Sequence, residues 1–146
     1  MPGLGGFLRE NEAARFARTL GILLNAGLSM LEALAIAEKS VATRVIRDEL
    51  ELAGARVREG TSLGKALAGC RYLPPLLAHL AASGESSGDL PRMLETAALA
   101  SEREVEVRLA LGLNLLEPAL ILGMGLAVLL IVLAILLPIF DMNRLV

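Results

Sequence analysis

The sequence predicts an all-α protein, an antiparallel six-helix bundle followed by a C-terminal transmembrane helix. Three observations predict it. The 23 residues from Pro118 to Phe140 carry no charged side chain and hold fifteen Leu, Ile, Val or Phe. As a helix they extend about 34 Å, enough to cross a hydrocarbon core of about 30 Å. The rest of the chain is rich in Ala, Leu, Glu and Arg, and aromatic residues make up only 3% of the whole, which suits thin helix-helix contacts. Gly, Pro and hydroxyl or carboxylate residues then divide residues 10–116 into helix-length pieces, joined by connections of roughly two to six residues.

The first helix is expected from about Glu10 to Ala26. Phe16, Leu20, Leu23 and Leu24 share one face, and Gly27 stands where a left-handed terminating residue is wanted. Ser29-Met-Leu-Glu32 has the capping-box pattern and opens a second helix, with Leu31, Leu34 and Ala35 expected to face inward. Thr43 is placed to cap a third helix in which Ile46, Leu50, Ala53 and Val57 recur up to Gly60, with Arg47, Glu51 and Arg58 on its outer face. Ser62 caps a short fourth helix, Leu63 to Ala68, before Gly69.

Leu73-Pro74-Pro75 forces an extended approach, and Pro75 suits the start of a fifth helix ending at Ser83-Gly84. A polar turn, Glu85 to Asp89, follows. The sixth helix starts at Leu90 with Asp89 as N-cap and runs on toward the bilayer. Pro118 has no N–H for the Asn114 carbonyl, so a kink or break is expected there. The resulting plan is an N-terminal lead over residues 1–9, a helical domain over 10–116, a membrane span over 117–140 and a short tail over 141–146.

Charge narrows the function classes. Residues 1–108 hold thirteen Lys or Arg against fourteen Asp or Glu, so no basic excess favours nucleic acid. Arg92, Arg103 and Arg108 precede the span and only Arg144 follows it, which predicts a cytoplasmic helical domain and an external tail. With six residues after Phe140, no folded unit is expected on the far side. The N-terminal stretch has neither a charged n-region nor a continuous apolar h-region, so it does not read as a signal peptide. Cys70 is the single cysteine, which excludes an internal disulfide and suits a small buried hydrophobe.

Catalytic chemistry has little to work with. His79, the sole histidine, lies among Leu76, Leu77 and Leu80. A triad of Ser86 or Ser87 with His79 and Asp89 can be written down, but no nucleophile elbow or oxyanion motif accompanies it. One histidine and one cysteine do not make an ordinary zinc site. Glu85 and Asp89 could share a divalent ion, but two carboxylates are too few ligands to define a site. The chain therefore reads as a non-enzyme without a cofactor.

The candidate sites are partner surfaces. Glu85, Ser87, Gly88 and Asp89 form a contact turn or, equally in residue type, a packing device: Gly88 supplies positive φ and Asp89 a cap. Glu104 and Arg108 form an i,i+4 pair on a solvated face above the membrane or on an interface. Glu117 and Pro118 mark the edge of the span, where an acid either sits among headgroups or bonds a neighbouring helix. Gly123 and Ala127 form a small-xxx-small pair, with Gly125 nearby, that lets another helix approach.

Several local motifs resemble the bacterial type II secretion and type IV pilus inner-membrane platform family, specifically its second cytoplasmic domain and last transmembrane helix. Ala14-Arg-Phe-Ala-Arg-Thr-Leu20 followed by Leu28-Ser-Met-Leu-Glu-Ala-Leu34 is similar to that domain's opening helix pair. Gly60-Thr-Ser-Leu63 resembles its glycine-terminated third helix, Gly84-Glu-Ser-Ser-Gly-Asp-Leu90 its signature turn, and Leu116-Glu-Pro118 the approach to its final span. The closing Leu137 to Asn143 segment is more similar to the secretion branch, the F component.

The resemblance implies a bacterial inner-membrane location and a role coupling a secretion ATPase to pseudopilin assembly. It also implies other inner-membrane secretion components as partners, self-association and contact with lipid. Members of the family have two such domains and three spans, so the single domain and span read as a truncation, a fragment or a split gene product. A tail-anchored helical adaptor is the alternative reading.

Overall fold

Six α-helices and no strand make up the described residues, 2–145, of the structure, a computed structural model. They are α1 (Pro2–Asn25), α2 (Met30–Lys39), α3 (Arg44–Arg58), α4 (Leu63–Ala68), α5 (Pro75–Ser87) and α6 (Leu90–Arg144). The chain divides into two compact units, one ending at Val107 and the other beginning at Arg108. The all-α expectation holds, as do the starts of all helices after the first.

The same corner is built twice in the first unit. Gly27 and Gly60 take φ of 94° and 103°, in the left-handed region that a Cβ disfavours. Each closes a Schellman motif. Leu28 N–H donates to the Leu23 carbonyl at 3.2 Å and Gly27 to Leu24 at 3.1 Å; Thr61 donates to Arg56 and Gly60 to Val57, both at 3.0 Å. Two residues after each glycine a serine restarts the helix, Ser29 Oγ accepting from Glu32 N–H and Ser62 Oγ from Lys65 N–H, each at 3.4 Å. At Ser29 the reciprocal bond from its N–H to Glu32 Oε2, at 3.3 Å, completes the predicted capping box.

The core of this unit draws on all six helices: Phe16 and Leu20 from α1, Ala33 and Leu34 from α2, Ile46 and Leu50 from α3, Leu63 and Leu67 from α4, Leu77 from α5 and Leu94 from α6. The stripe expected on α1 and α3 is thus the buried one. On α2 the expectation needs correction, because Leu31 is 41% exposed and the buried residues are Ala33, Leu34 and Ala37. The alanines let α2 lie close to its neighbours, which turns Leu31 toward the edge.

Three boundaries also differ. Helix α1 begins at Pro2, not Glu10. The glycines in its first turns weaken a helix by about 1 kcal/mol each relative to Ala, but Phe7 is half-buried and the Arg9 guanidinium sits 4.9 Å from the Tyr72 ring centre, so tertiary contacts hold the segment. Helix α5 continues through Glu85 and ends at Gly88, φ 74°, rather than at Gly84. Helix α6 is not broken at Pro118. It contains both Pro118 and Pro138 as interior residues, since losing one backbone bond does not end a helix held by its neighbouring turns. Thr43 occupies the N-cap of α3 but makes no side-chain cap bond; nearby, the Arg47 guanidinium, expected on the outer face, donates to the Val41 carbonyl at 2.6 and 3.1 Å.

The second unit is the remainder of α6. Its apolar side chains are exposed throughout, and α6 is long and apolar enough to cross a membrane.

Candidate functional site

The distinctive turn after Gly84 is the last turn of α5, and its glutamate reaches across to α4. Glu85 Oε2 accepts from Leu63 N–H at 2.9 Å and Oε1 from Gly64 N–H at 2.6 Å. These are two of the N–H groups that the start of α4 cannot satisfy within the helix, and a carboxylate is favoured there by the helix dipole as well. Ser62 Oγ takes a third, from Lys65. One short helix is therefore capped twice, once by its own serine and once from α5.

Two glycines make that reach short. A Cβ on Gly64 would lie 2.6 Å from Ala82 Cβ and 2.8 Å from Ala82 Cα, so α4 and α5 touch through bare backbone. A Cβ on Gly84 would lie 2.8 Å from Leu90 Cα, so α5 and α6 do the same. Gly88 then turns the chain, with Gly88 and Asp89 N–H both donating to the Gly84 carbonyl. Gly84 is thus a packing residue inside α5, and Gly88 is the terminator.

The other residues of the turn serve local ends. Ser86 Oγ donates to the Ala82 carbonyl at 3.0 Å and Ser87 Oγ to Gly84 at 3.4 Å, within their own helix. The Asp89 carbonyl accepts from Met93 N–H at 3.3 Å, and its carboxylate lies 3.8 Å from the Arg92 guanidinium. His79 is exposed on α5. Among the described residues no group of three or more His, Cys, Asp or Glu is gathered to hold a metal.

Two further glutamates do what Glu85 does, and sequence reading missed both. Glu12, buried on α1, accepts from Ala42 N–H at 2.9 Å in the α2–α3 connection. Glu49 on α3 accepts from Arg71 N–H at 3.1 Å and Tyr72 N–H at 3.0 Å before α5. A signal existed for each. Glu12 falls in register with Phe16 and Leu20, and Glu49 lies between Ile46 and Ala53, so both are acids on apolar stripes, Glu12 buried and Glu49 half-buried, where a carboxylate drawn from water must find donors.

Cys70 lies beside Glu49, and its thiol is directed to the carbonyls of Glu49 and Ala66, each at 3.7 Å. Burial first, and the Glu49 charge second, push its pKa up to about 11. It should be a poor nucleophile. At pH 8 the folded protein is expected to react with Ellman's reagent far more slowly than the same protein in denaturant; equal rates would place the thiol in solvent.

A cleft between α2 and α3 is lined by Leu31, Leu34, Glu38, Glu51, Gly54 and Arg58. Desolvation, then repulsion from Glu51, raises the Glu38 pKa above its ordinary value. A raised folded-state pKa means that the protonated form is favoured by folding. The stabilisation is complete below the unfolded value and is lost as pH rises through the folded one. Glu38→Gln should therefore raise the melting temperature at pH 7 and give no gain near pH 3, as read by thermal melts at both pH values.

The remaining candidates lie along α6. Glu104 is exposed in the first unit, where the neighbouring Glu102 pairs with Arg18 of α1 at 2.7 Å. Arg108 begins the second unit. Glu117, Pro118, Gly123 and Ala127 are exposed on the apolar stretch, and nothing lies within 4 Å of a Cβ built on Gly123.

The distinctive residues knit the helical unit's own elements together, and its last helix runs on into a stretch long and apolar enough to cross a membrane, which defines an all-helical protein with, among the described residues, one candidate membrane span. Residues 16–138 match the family described as Type II secretion system (T2SS), protein F, and the chain belongs to that family. It is 44% identical over its whole length to Type II secretion system protein F of Pseudomonas aeruginosa, covering 36% of that protein, and 42% identical to its namesake in Aeromonas hydrophila, covering 38%. It is 38% identical, again over its whole length, to Type 4 fimbrial assembly protein PilC of Pseudomonas putida, covering 36%. The chain thus spans little more than a third of the length of these relatives.

Proposed function

We propose that this chain is a non-enzymatic inner-membrane platform component of a type II secretion machine, coupling a cytoplasmic secretion ATPase to pseudopilin assembly and protein export. The observation that carries this reading is the family match over residues 16–138, which takes in both the helical unit and the apolar stretch of α6. The higher identities to secretion proteins favour that branch over the pilus branch.

In this reading residues 10–116 are cytoplasmic, 117–140 span the inner membrane and 141–146 are periplasmic, following the Arg92, Arg103 and Arg108 bias. The domain works by transmitting movement. Glu12, Glu49 and Glu85 stiffen the bundle by tying loops and helix starts to distant helices, and α6 carries the movement into the span. Glu104, Arg108 and the rim formed by Ser87, Gly88 and Asp89 are the surfaces offered to the ATPase and to other secretion components. Glu117, Pro118, Gly123 and Ala127 are offered to neighbouring membrane helices and to further copies of the chain.

Topology tests the placement. Alkaline phosphatase fused after Val146 should be active in cells and a green fluorescent protein at the same site dark; the opposite pair of results would overturn the orientation. Loss of secretion of a known exported enzyme on deletion of the gene, with restoration by this chain, tests the role. Unimpaired secretion in the deletion strain would leave a tail-anchored adaptor as the better reading.

A further inference from the structure

We propose that the cleft between α2 and α3 is a socket for one arginine side chain of a partner protein, its guanidinium held between Glu38 and Glu51 and its stem against Leu31 and Ala35. Three residues of this cleft carry a cost that the fold does not ask for. Gly54 stands inside α3, where glycine is the poorest helix former after proline. Its φ is not positive, and a Cβ built on it would meet only Glu38 Oε2, at 3.7 Å, an ordinary contact. Packing therefore does not require glycine here; the missing Cβ keeps the floor of the cleft open.

Glu38 is the second. It is half-buried, yet among the described residues neither it nor Glu51 accepts a hydrogen bond at its carboxylate or has a cation within ion-pair distance. Burial and the Glu51 charge both disfavour its ionised form, and Lys39 and Arg58 offset this only in part. The third is Leu31, a large apolar residue left 41% exposed at the rim. Costs that gather at one place, and that substitution to Ala or Gln would remove, belong to function rather than to stability.

The lining says what enters. Carboxylates on facing walls call for a cation, and Leu31 and Ala35 for an aliphatic stem beside it. At about 250 Å³ the cleft is smaller than the pockets of about 300–1,000 Å³ that enclose small ligands, so it takes a side chain. Two carboxylates are too few for a hard metal ion. A guanidinium spreads five donors over a plane and reaches both walls, and it is less strongly hydrated than an ammonium, so half-burial costs it less. Arg58 lines the cleft but pairs with neither glutamate, so the guest comes from another protein. The socket is read from the cleft alone and stands or falls separately from the secretion role.

The isotope-labelled full chain in detergent tests this by titration with acetyl-Leu-Arg-Leu-amide and with acetyl-Leu-citrulline-Leu-amide, which replaces the guanidinium by a neutral group of the same shape. The arginine peptide should shift the Gly54 and Ala55 amide resonances saturably, with a dissociation constant about tenfold below that of the citrulline peptide. Glu38→Gln combined with Glu51→Gln should reduce this preference below about twofold, and removing the repulsion keeps that variant folded. Gly54→Ala should melt higher than wild type and bind the arginine peptide about threefold more weakly, a split that a purely structural glycine would not give. Equal affinities for the two peptides, no saturable shift up to about 10 mM, or a preference that survives the double substitution would overturn the socket.

Discussion

Replacing Gly64 with alanine should cost the helical unit about 2–3 kcal/mol, the overpacking range, and lower its melting temperature by roughly 10–20 °C for a domain of this size. The new Cβ would meet Ala82 Cβ at 2.6 Å, Cα at 2.8 Å and N at 2.9 Å, and two of these three are backbone atoms that no rotamer change can move. Helices α4 and α5 must then separate, which also lengthens the Glu85 bonds to Leu63 and Gly64 N–H. Gly5→Ala is the matched control. Nothing lies within 4 Å of its Cβ inside α1, so helix propensity alone acts and up to about 1 kcal/mol should be gained. Circular dichroism melts of the detergent-solubilised chain would read both, and similar melts for the two variants would refute the bare-backbone contact.

Glu85→Ala is the second large effect. It strips two N–H groups at the start of α4 of a charged acceptor, and bonds to charged groups contribute about 1.5–3 kcal/mol each; with Glu85 largely exposed, water replaces part of that, leaving about 2 kcal/mol for the pair. Glu85→Gln keeps one acceptor oxygen and should lose about half as much. The pair separates two roles that the residue types alone do not. A carboxylate needed only by a partner would leave the denaturation midpoint of the isolated chain unchanged on substitution, whereas an internal cap lowers it whether or not a partner is present.

Local signals gave the fold most of its legibility. Ser29-x-x-Glu32, Gly27, Gly60, Ser62 and Pro75 act within a few residues of themselves, and each stands at the helix end where its chemistry puts it. Gly84 misled because a glycine near a polar run reads as a stop, while its actual use is a close approach to Leu90, a contact decided by tertiary packing. Leu31 misled for the same reason, since small alanines on α2 took the inward face. The start of α1 was hidden by its glycines, and it is the half-burial of Phe7 and the Arg9 contact with Tyr72, more than sixty positions away in sequence, that account for the helix there.

The candidate site was legible in residue type but not in partner. Gly84, Glu85, Gly88 and Asp89 stood out, and packing was among the readings they allowed. The identity of the Glu85 acceptor contacts, Leu63 and Gly64 N–H, lies more than twenty residues upstream. Glu12 and Glu49 were harder still, because an acid on a helix is usually solvated, and only its register on an apolar stripe distinguishes one drawn partly or wholly from water. The three carboxylates together make the unit a domain stapled by its own acids.

The most direct measurement is the mass of the complex formed when the detergent-solubilised chain is purified with the cognate secretion ATPase, for wild type and Glu104→Arg. The account predicts a defined complex containing both proteins, weakened by Glu104→Arg while the variant stays folded by circular dichroism. A wild-type chain that elutes alone, folded and free of the ATPase, would contradict it.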